Sequence, residues 1–237
     1  MTLAIFDLDN TLLAGDSDYL WGSFLVQRGF VDPVEYEAAN TRFFEDYKAG
    51  NLDIDAFLNF ALSPLSQHPM AELLALRQAF LDDLIQPILL PAAHQLIHAH
   101  RAQGHTLMII TATNAFITAP IAELYGIDHL IATTPEIVED QYTGRYVGEP
   151  CFREGKVKRL QVWLNDHQES LENSWFYSDS HNDRPLLDLV QNPVAVDADQ
   201  ALKRHAETKG WPVISLRLNQ APAGILRAIN EPSHLPS

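Results

Sequence analysis

The sequence predicts an α/β fold, a mostly parallel sheet with a block of helices inserted behind its first strand. Three observations lead there. Short apolar runs alternate with amphipathic stretches of helical length, which is the pattern of βαβ units. The first apolar run, residues 3–6, leads directly into Asp7-Leu8-Asp9-Asn10-Thr11. From Asp16 to Leu84 the apolar residues recur at helical spacing, and no stretch reads as a strand.

Taken in order, strands are expected at residues 3–6, 106–110, 129–132, 175–177, 194–196 and 213–216. Helices are expected between most of them, at 92–103, 117–125, 156–166 and 184–189. In the inserted block, Trp21, Phe24 and Leu25, then Phe43, Phe44 and Tyr47, then Phe57, Phe60 and Ala61, then Leu73, Leu76 and Phe80 mark a small bundle with these side chains as its core. Residues 142–146 read as a β-hairpin with Gly144 in the turn. Pro87 and Pro91 bracket the return from the insert, where a hinge is expected. The tail after Leu218 is Pro-rich and polar and is expected to be partly disordered.

Composition narrows the class. A chain of 237 residues holds one large domain, or a core with a smaller insert, and 46% hydrophobic with 20% charged residues is ordinary for a globular protein. The formal charge of −15 argues against a nucleic-acid or anionic membrane partner. It also means that an anionic substrate must be held by local positive charge. The single cysteine, Cys151, excludes an internal disulfide and suits a reducing compartment. With no membrane-length apolar run and no signal-peptide pattern, a cytoplasmic location is expected.

The chemistry-bearing residues fall at strand ends, where ligands bind in parallel sheets. Asp7 and Asp9 point apart while the chain stays extended, and a turn would bring both to one site, as nucleophile or metal ligand and as acid/base. A strand ending in a polar turn is the simpler alternative. Thr111 and Ala112 follow the second strand and open either a phosphate cradle or an ordinary helix cap. Lys156 after Gly155 is either a phosphoryl-neutralising cation or a solvated lysine. Asp179 and Asp183 add oxygen donors of the kind that suit Mg2+.

With its D-x-D-x-T signature at Asp7-Leu8-Asp9-Asn10-Thr11, followed in order by Thr111, Lys156 and the Asp179/Asp183 pair, the chain resembles the haloacid dehalogenase superfamily over roughly its whole length. The resemblance is to subfamily IB, the branch of the phosphoserine phosphatases. It implies a Rossmann-like core formed by residues 1–14 and 85–237, with a helical cap at 15–84 that sets specificity. It implies a phosphatase in which Asp7 becomes an aspartyl-phosphate and Asp9 serves as acid and then base. It further implies Mg2+ held by Asp7, Asp9 (through its backbone carbonyl) and Asp179, with Asp183 nearby, and phosphate gripped by Thr111, Ala112, Lys156 and Asn182. Dehalogenases lack the second Asp, ion pumps carry a different signature, and phosphonatases use a cap lysine, for which only Lys48 is present.

The same resemblance bears on the substrate, expected to be a small phosphomonoester. Asp16 stands where phosphoserine phosphatases place an acid for the substrate ammonium, although a helix N-cap explains it equally well. Their cap arginine for the substrate carboxylate has no counterpart: the matching segment, 52–62, carries Phe60 near that position, and the insert's arginines are Arg28, Arg42 and Arg77. An acid without that arginine favours an amino-alcohol phosphate, L-histidinol phosphate, over phosphoserine. A phosphotransferase and a non-catalytic phosphate-binding regulator remain as alternatives, and the oligomeric state stays open. His94, His98, His100 and His105 are expected to be solvated histidines of a surface helix, Cys151 to be inert, and Asp53/Asp55 to begin a cap helix.

Overall fold

The computed structural model describes residues 2–231. Seven strands form one sheet: β1 (Leu3–Phe6), β2 (Thr106–Asn114), β3 (His129–Val138), β4 (Gln141–Val147), β5 (Trp175–Ser178), β6 (Asn192–Val196) and β7 (Val213–Ile214). Their spatial order is β4-β3-β2-β1-β5-β6-β7, parallel throughout except for the antiparallel β3/β4 pair. β1 lies at the centre with β2 on one side and β5 on the other, so the chain switches direction across the sheet there. Residues just beyond the end of β1 therefore face the crevice such a switch creates.

All four residues of β1 are fully buried, as a strand covered on both faces must be. Alternate residues split between two cores. Ala4 and Phe6 join Leu107, Ile109, Trp175 and Tyr177 on one face. Leu3 and Ile5 join Met108, Ile110, Phe176 and Ala195 on the other.

The insert comprises α1 (Ser17–Gln27), α2 (Pro33–Ala49), α3 (Ile54–Leu62) and α4 (Met70–Phe80), with short helical turns carrying the chain on to Ile88. Asp16, Asp32 and Asp53 accept backbone N–H groups at the starts of α1, α2 and α3, satisfying donors that a helix cannot pair internally. Entry and exit meet where Leu13 bridges Leu89 and Ala14 N–H donates to Ile88 O at 2.8 Å. The aromatics do not form a core sealed from the sheet. Trp21 packs edge-on to Phe80 and also to Phe116 of the sheet-bearing part, at 5.2 and 5.6 Å, and one apolar cluster runs through both. Phe43 and Leu52 instead meet Phe152 in a separate cluster.

Behind the insert come α5 (Pro91–Ala102), α6 (Ala115–Leu124), α7 (Glu154–His167), α8 (Arg184–Leu187), α9 (Gln200–Lys209) and α10 (Ala223–Asn230). Two expectations need correction. Gly144 is not the hairpin turn but lies within β4, and the turn is Glu139-Asp140, both at positive φ (50° and 59°), the geometry of a two-residue loop between twisted strands. The tail is ordered as far as α10, whose Ile225 and Ile229 are buried against the first core. A short amphipathic helix behind Pro222 gave too brief a period to stand out from its polar surroundings, and the end of the expected disordered tail, 232–237, lies outside the described residues. No helix among the described residues is long and apolar enough to cross a membrane.

Candidate active site

The loop after β1 turns sharply. Asn10 takes a left-handed conformation (φ 57°), and the N–H groups of Thr11, Leu12 and Leu13 all reach Leu8 O. Asp and Asn tolerate that region better than other residues with a Cβ. The turn brings Asp7 and Asp9 to one cavity, which is also lined by Asp16, Asp18, Tyr19, Thr111, Ala112 and Thr113.

Asp7 is buried and pairs with Lys156, Nζ to Oδ1 at 2.8 Å. Lys156 is only 2% exposed, which removes the solvated-lysine alternative. It also contacts the Asp183 carboxylate at 2.8 Å, and the two acids hold its ammonium well above the usual lysine range against the cost of burial. The tight turn into α7 places it there. A Cβ on Gly155 would lie 2.0 Å from Pro150 O, so no other residue fits without moving the backbone. Burial pushes Asp7 upward, Lys156 pulls it back, and Asp183 and Asp9 add to the rise.

Asp9 receives the Ser17 N–H at 2.6 Å on one oxygen and the Thr113 hydroxyl at 2.8 Å on the other. Burial and then the charge of Asp16 push it up to about 6, with the Ser17 and Thr113 bonds opposing. A carboxyl at that level exchanges a proton near neutral pH. Thr113 itself was not singled out in the sequence, although it belongs to the same strand end as Thr111.

Asp7 Oδ2 and Asp179 Oδ1 converge on one hydroxyl, Thr11 Oγ1, at 3.4 and 3.3 Å. One proton cannot serve two carboxylates. Burial and then the charges of Asp7 and Asp183 hold Asp179 well above the carboxylate range. Crowded oxygen donors with a single buried cation, Lys156, among them form a set suited to a hard divalent ion such as Mg2+. No group of three His, Cys, Asp or Glu side chains among the described residues forms a ready metal cage. A backbone carbonyl and water would have to complete the shell, as Mg2+ commonly allows. Asp183 is engaged elsewhere, by Lys156 and by the Ser178 hydroxyl at 2.7 Å.

The remaining expected residues divide. Thr111 is buried and accepts the Thr113 N–H at 3.2 Å. Asn182 is buried beside the insert, donating to Tyr47 O at 3.1 Å and accepting from Arg153 Nε at 3.0 Å. Asp16 does two things at once: its Oδ1 caps α1 at Tyr19 N (2.9 Å), and it lines the cavity. Phe43, Phe44, Tyr47 and Phe57, expected as bundle core, form the cavity's aromatic wall, because α2 and α3 lie across the strand ends. Asp18 and Arg153 were not legible, since their significance depends on what the fold sets opposite them.

Two other expectations resolve. His100 is fully buried, not solvated, with Nε2 2.7 Å from the Tyr177 hydroxyl and Nδ1 2.8 Å from His105 Nδ1. Burial drives it down to about 3. Cys151 is buried, and its thiol is pushed up to about 12, which leaves it inert.

The haloacid dehalogenase-like hydrolase family model matches residues 4–188. A Neisseria meningitidis protein named histidinol-phosphatase is 45% identical over 219 residues, 91% of this chain and 99% of that one. A phosphoserine phosphatase of Mycobacterium tuberculosis is 31% identical, over 94% of this chain and 73% of its own length. A solved structure of a Bordetella pertussis protein of unknown function superimposes with a TM-score of 0.86 at 44% identity, covering 91% of this chain and all (100%) of that one.

Proposed function

The chain belongs to the haloacid dehalogenase-like hydrolases, and on that premise we propose that it is a phosphatase acting on a small amino-alcohol phosphate, L-histidinol phosphate. The observation that carries the substrate is the cavity wall. It holds the acids Asp16 and Asp18 and five aromatic side chains, Tyr19, Phe43, Phe44, Tyr47 and Phe57, but no arginine or lysine. Arg28 pairs with Asp83 at 2.7 Å, and Arg77 donates to Phe116 O at 2.8 Å. Arg42 lies over Phe43 and Lys48 over Phe44, both exposed, and neither lines the cavity, although the charge of Lys48 reaches Asp16. A substrate carboxylate would enter a wall of like charge, whereas an ammonium group would meet Asp16 and an imidazole would meet aromatic faces. The name of the Neisseria relative, which this chain matches over nearly its full length, supports the same choice.

In this reading residues 15–84 form the cap and 1–14 with 85–237 the catalytic core. Asp7 attacks phosphorus in line and carries the phosphoryl group as an aspartyl-phosphate, dividing one hard hydrolysis into two easier steps. Lys156 and the Thr111–Ala112 strand end hold the phosphate oxygens, and Asn182 steadies the edge of the site against the cap. Asp9 gives its proton to the departing alkoxide oxygen and then takes one from the water that attacks the intermediate. Mg2+ would be held by Asp7, Asp9 through its backbone carbonyl, and Asp179, with Asp183 behind; when bound it supplies positive charge to the phosphate oxygens.

The test is product analysis with L-histidinol phosphate, Mg2+ and an added alcohol. Stoichiometric free phosphate and histidinol support hydrolysis. A new phosphoester in place of free phosphate would make the protein a phosphotransferase, and tight binding without turnover would make it a regulator.

A further inference from the structure

Asp16 caps α1 and Asp18 stands in its first turn, both in the cavity wall, but only Asp16 is used by the helix itself. Asp18 receives no hydrogen bond or ion pair from any described residue, and its electrostatic neighbours are the like charges of Asp16 and Asp9 and the phenol of Tyr36. A helix start favours an acid modestly, but that benefit is available to an acid facing water. Holding a second, partly buried carboxylate beside two others costs free energy unless a cation arrives to meet it.

The surroundings restrict what that cation is. α1 and α2 are pressed together at Gly22, one turn along the helix from Asp18, where a Cβ would come within 2.7 Å of Asn40 Nδ2. Asn40 Nδ2 donates to Tyr19 O at 3.1 Å and lines the same cavity. Tyr19 and Phe44 lie 4.8 Å apart at 34°, and Phe43 meets Phe57 at 5.6 Å. This end of the cavity is aromatic, with ring faces and edges exposed to it and one carboxylate at its side that accepts no hydrogen bond. That suits a planar cationic ring presenting an N–H, and suits a hydrated, tetrahedral ammonium less well.

We propose that Asp18 is a specificity-determining residue that accepts an N–H of an imidazolium-like ring on the substrate, while Asp16 receives the ammonium. The two acids together select a phosphomonoester whose organic part carries two cationic groups. The inference rests on the reading of the substrate as an amino-alcohol phosphate.

The experiment measures kcat/KM on L-histidinol phosphate and on L-phenylalaninol phosphate, the same amino alcohol with a ring that has no N–H. Wild type is expected to prefer the imidazole by about tenfold or more, the range of one charge-assisted hydrogen bond. Asp18→Asn is expected to bring that preference to near parity, by a loss on histidinol phosphate several-fold larger than any loss on phenylalaninol phosphate. Asp18→Glu, which keeps the charge, is expected to retain part of the preference and guards against misreading a folding defect. An undiminished preference in Asp18→Asn, or an equal loss on both substrates, would overturn the assignment of Asp18 while leaving the amino-alcohol reading intact. Wild type turning over phosphoserine but neither amino-alcohol phosphate would overturn that reading, and this inference with it.

Discussion

Arg153 and Asn182 form the joint between the insert and the sheet: Arg153 Nε donates to Asn182 Oδ1 at 3.0 Å, and each side chain also reaches the C-terminal end of α2. Arg153 Nη2 donates to Gly50 O, and Asn182 Nδ2 to Tyr47 O at 3.1 Å. Arg153 holds a positive φ of 50° immediately before α7, a conformation costly for a residue with a Cβ. Two of these hydrogen bonds tie the segments beside Lys156 and Asp179 to α2, which supplies Phe43, Phe44 and Tyr47 of the aromatic wall, and the third joins the two segments to each other.

Arg153→Ala is expected to lower kcat/KM by about tenfold, the scale of losing charge-assisted hydrogen bonds, mainly through KM, because the wall is loosened and the reacting groups are untouched. Steady-state kinetics checks this. Unchanged kcat/KM would mean that the joint is dispensable.

Asp7→Asn keeps the shape of the side chain but removes the nucleophile, so turnover is expected to vanish while the protein stays folded, since Lys156 retains Asp183. Asp9→Asn is expected to lose about two to four orders of magnitude in kcat, the usual contribution of a positioned acid/base. Phosphate release with circular dichroism on the same samples decides both. Wild-type turnover in Asp7→Asn would refute the nucleophile.

His100 predicts a pH dependence of stability. It is held down to about 3 in the folded protein against 6.5 in its ordinary state. Between those values the unfolded chain binds a proton that the folded protein refuses. Its contribution is therefore complete above 6.5 and is lost as pH falls through the interval. Comparing wild type with His100→Asn by urea unfolding, the stability difference is expected to shrink by about 2 kcal/mol from pH 7.5 to pH 5.0. A difference independent of pH would show that His100 is not kept neutral.

The sheet was legible because buried parallel strands are short, apolar and regularly spaced, as residues 3–6 and 175–177 illustrate. Asp7, Asp9, Thr111, Lys156 and Asp179 were legible because each follows a strand or opens a helix, so local order reports their place. Arg153 and Asp18 were not, because their partners lie on elements remote in sequence: Gly50 is 103 positions from Arg153. His100 was misjudged for a related reason. A histidine on an amphipathic helix looks solvated until Tyr177, from a strand 77 positions away, is set against it.

Removing divalent cations with a chelator is expected to abolish phosphate release and to lower the melting temperature, since an ion bound only by the folded state stabilises it by mass action. Adding Mg2+ back is expected to restore both. Full activity in metal-free buffer would contradict the role given to the carboxylates around Thr11.

The most direct measurement is the ratio of kcat/KM for L-histidinol phosphate to that for phosphoserine, with Mg2+ present. A cavity lined by Asp16 and Asp18 without arginine or lysine predicts a ratio of about one hundred or more, because phosphoserine must set an unpaired carboxylate against like charge. A ratio below one would contradict the account and would mean that Arg42 or Lys48 swings from its aromatic ring into the cavity when substrate binds.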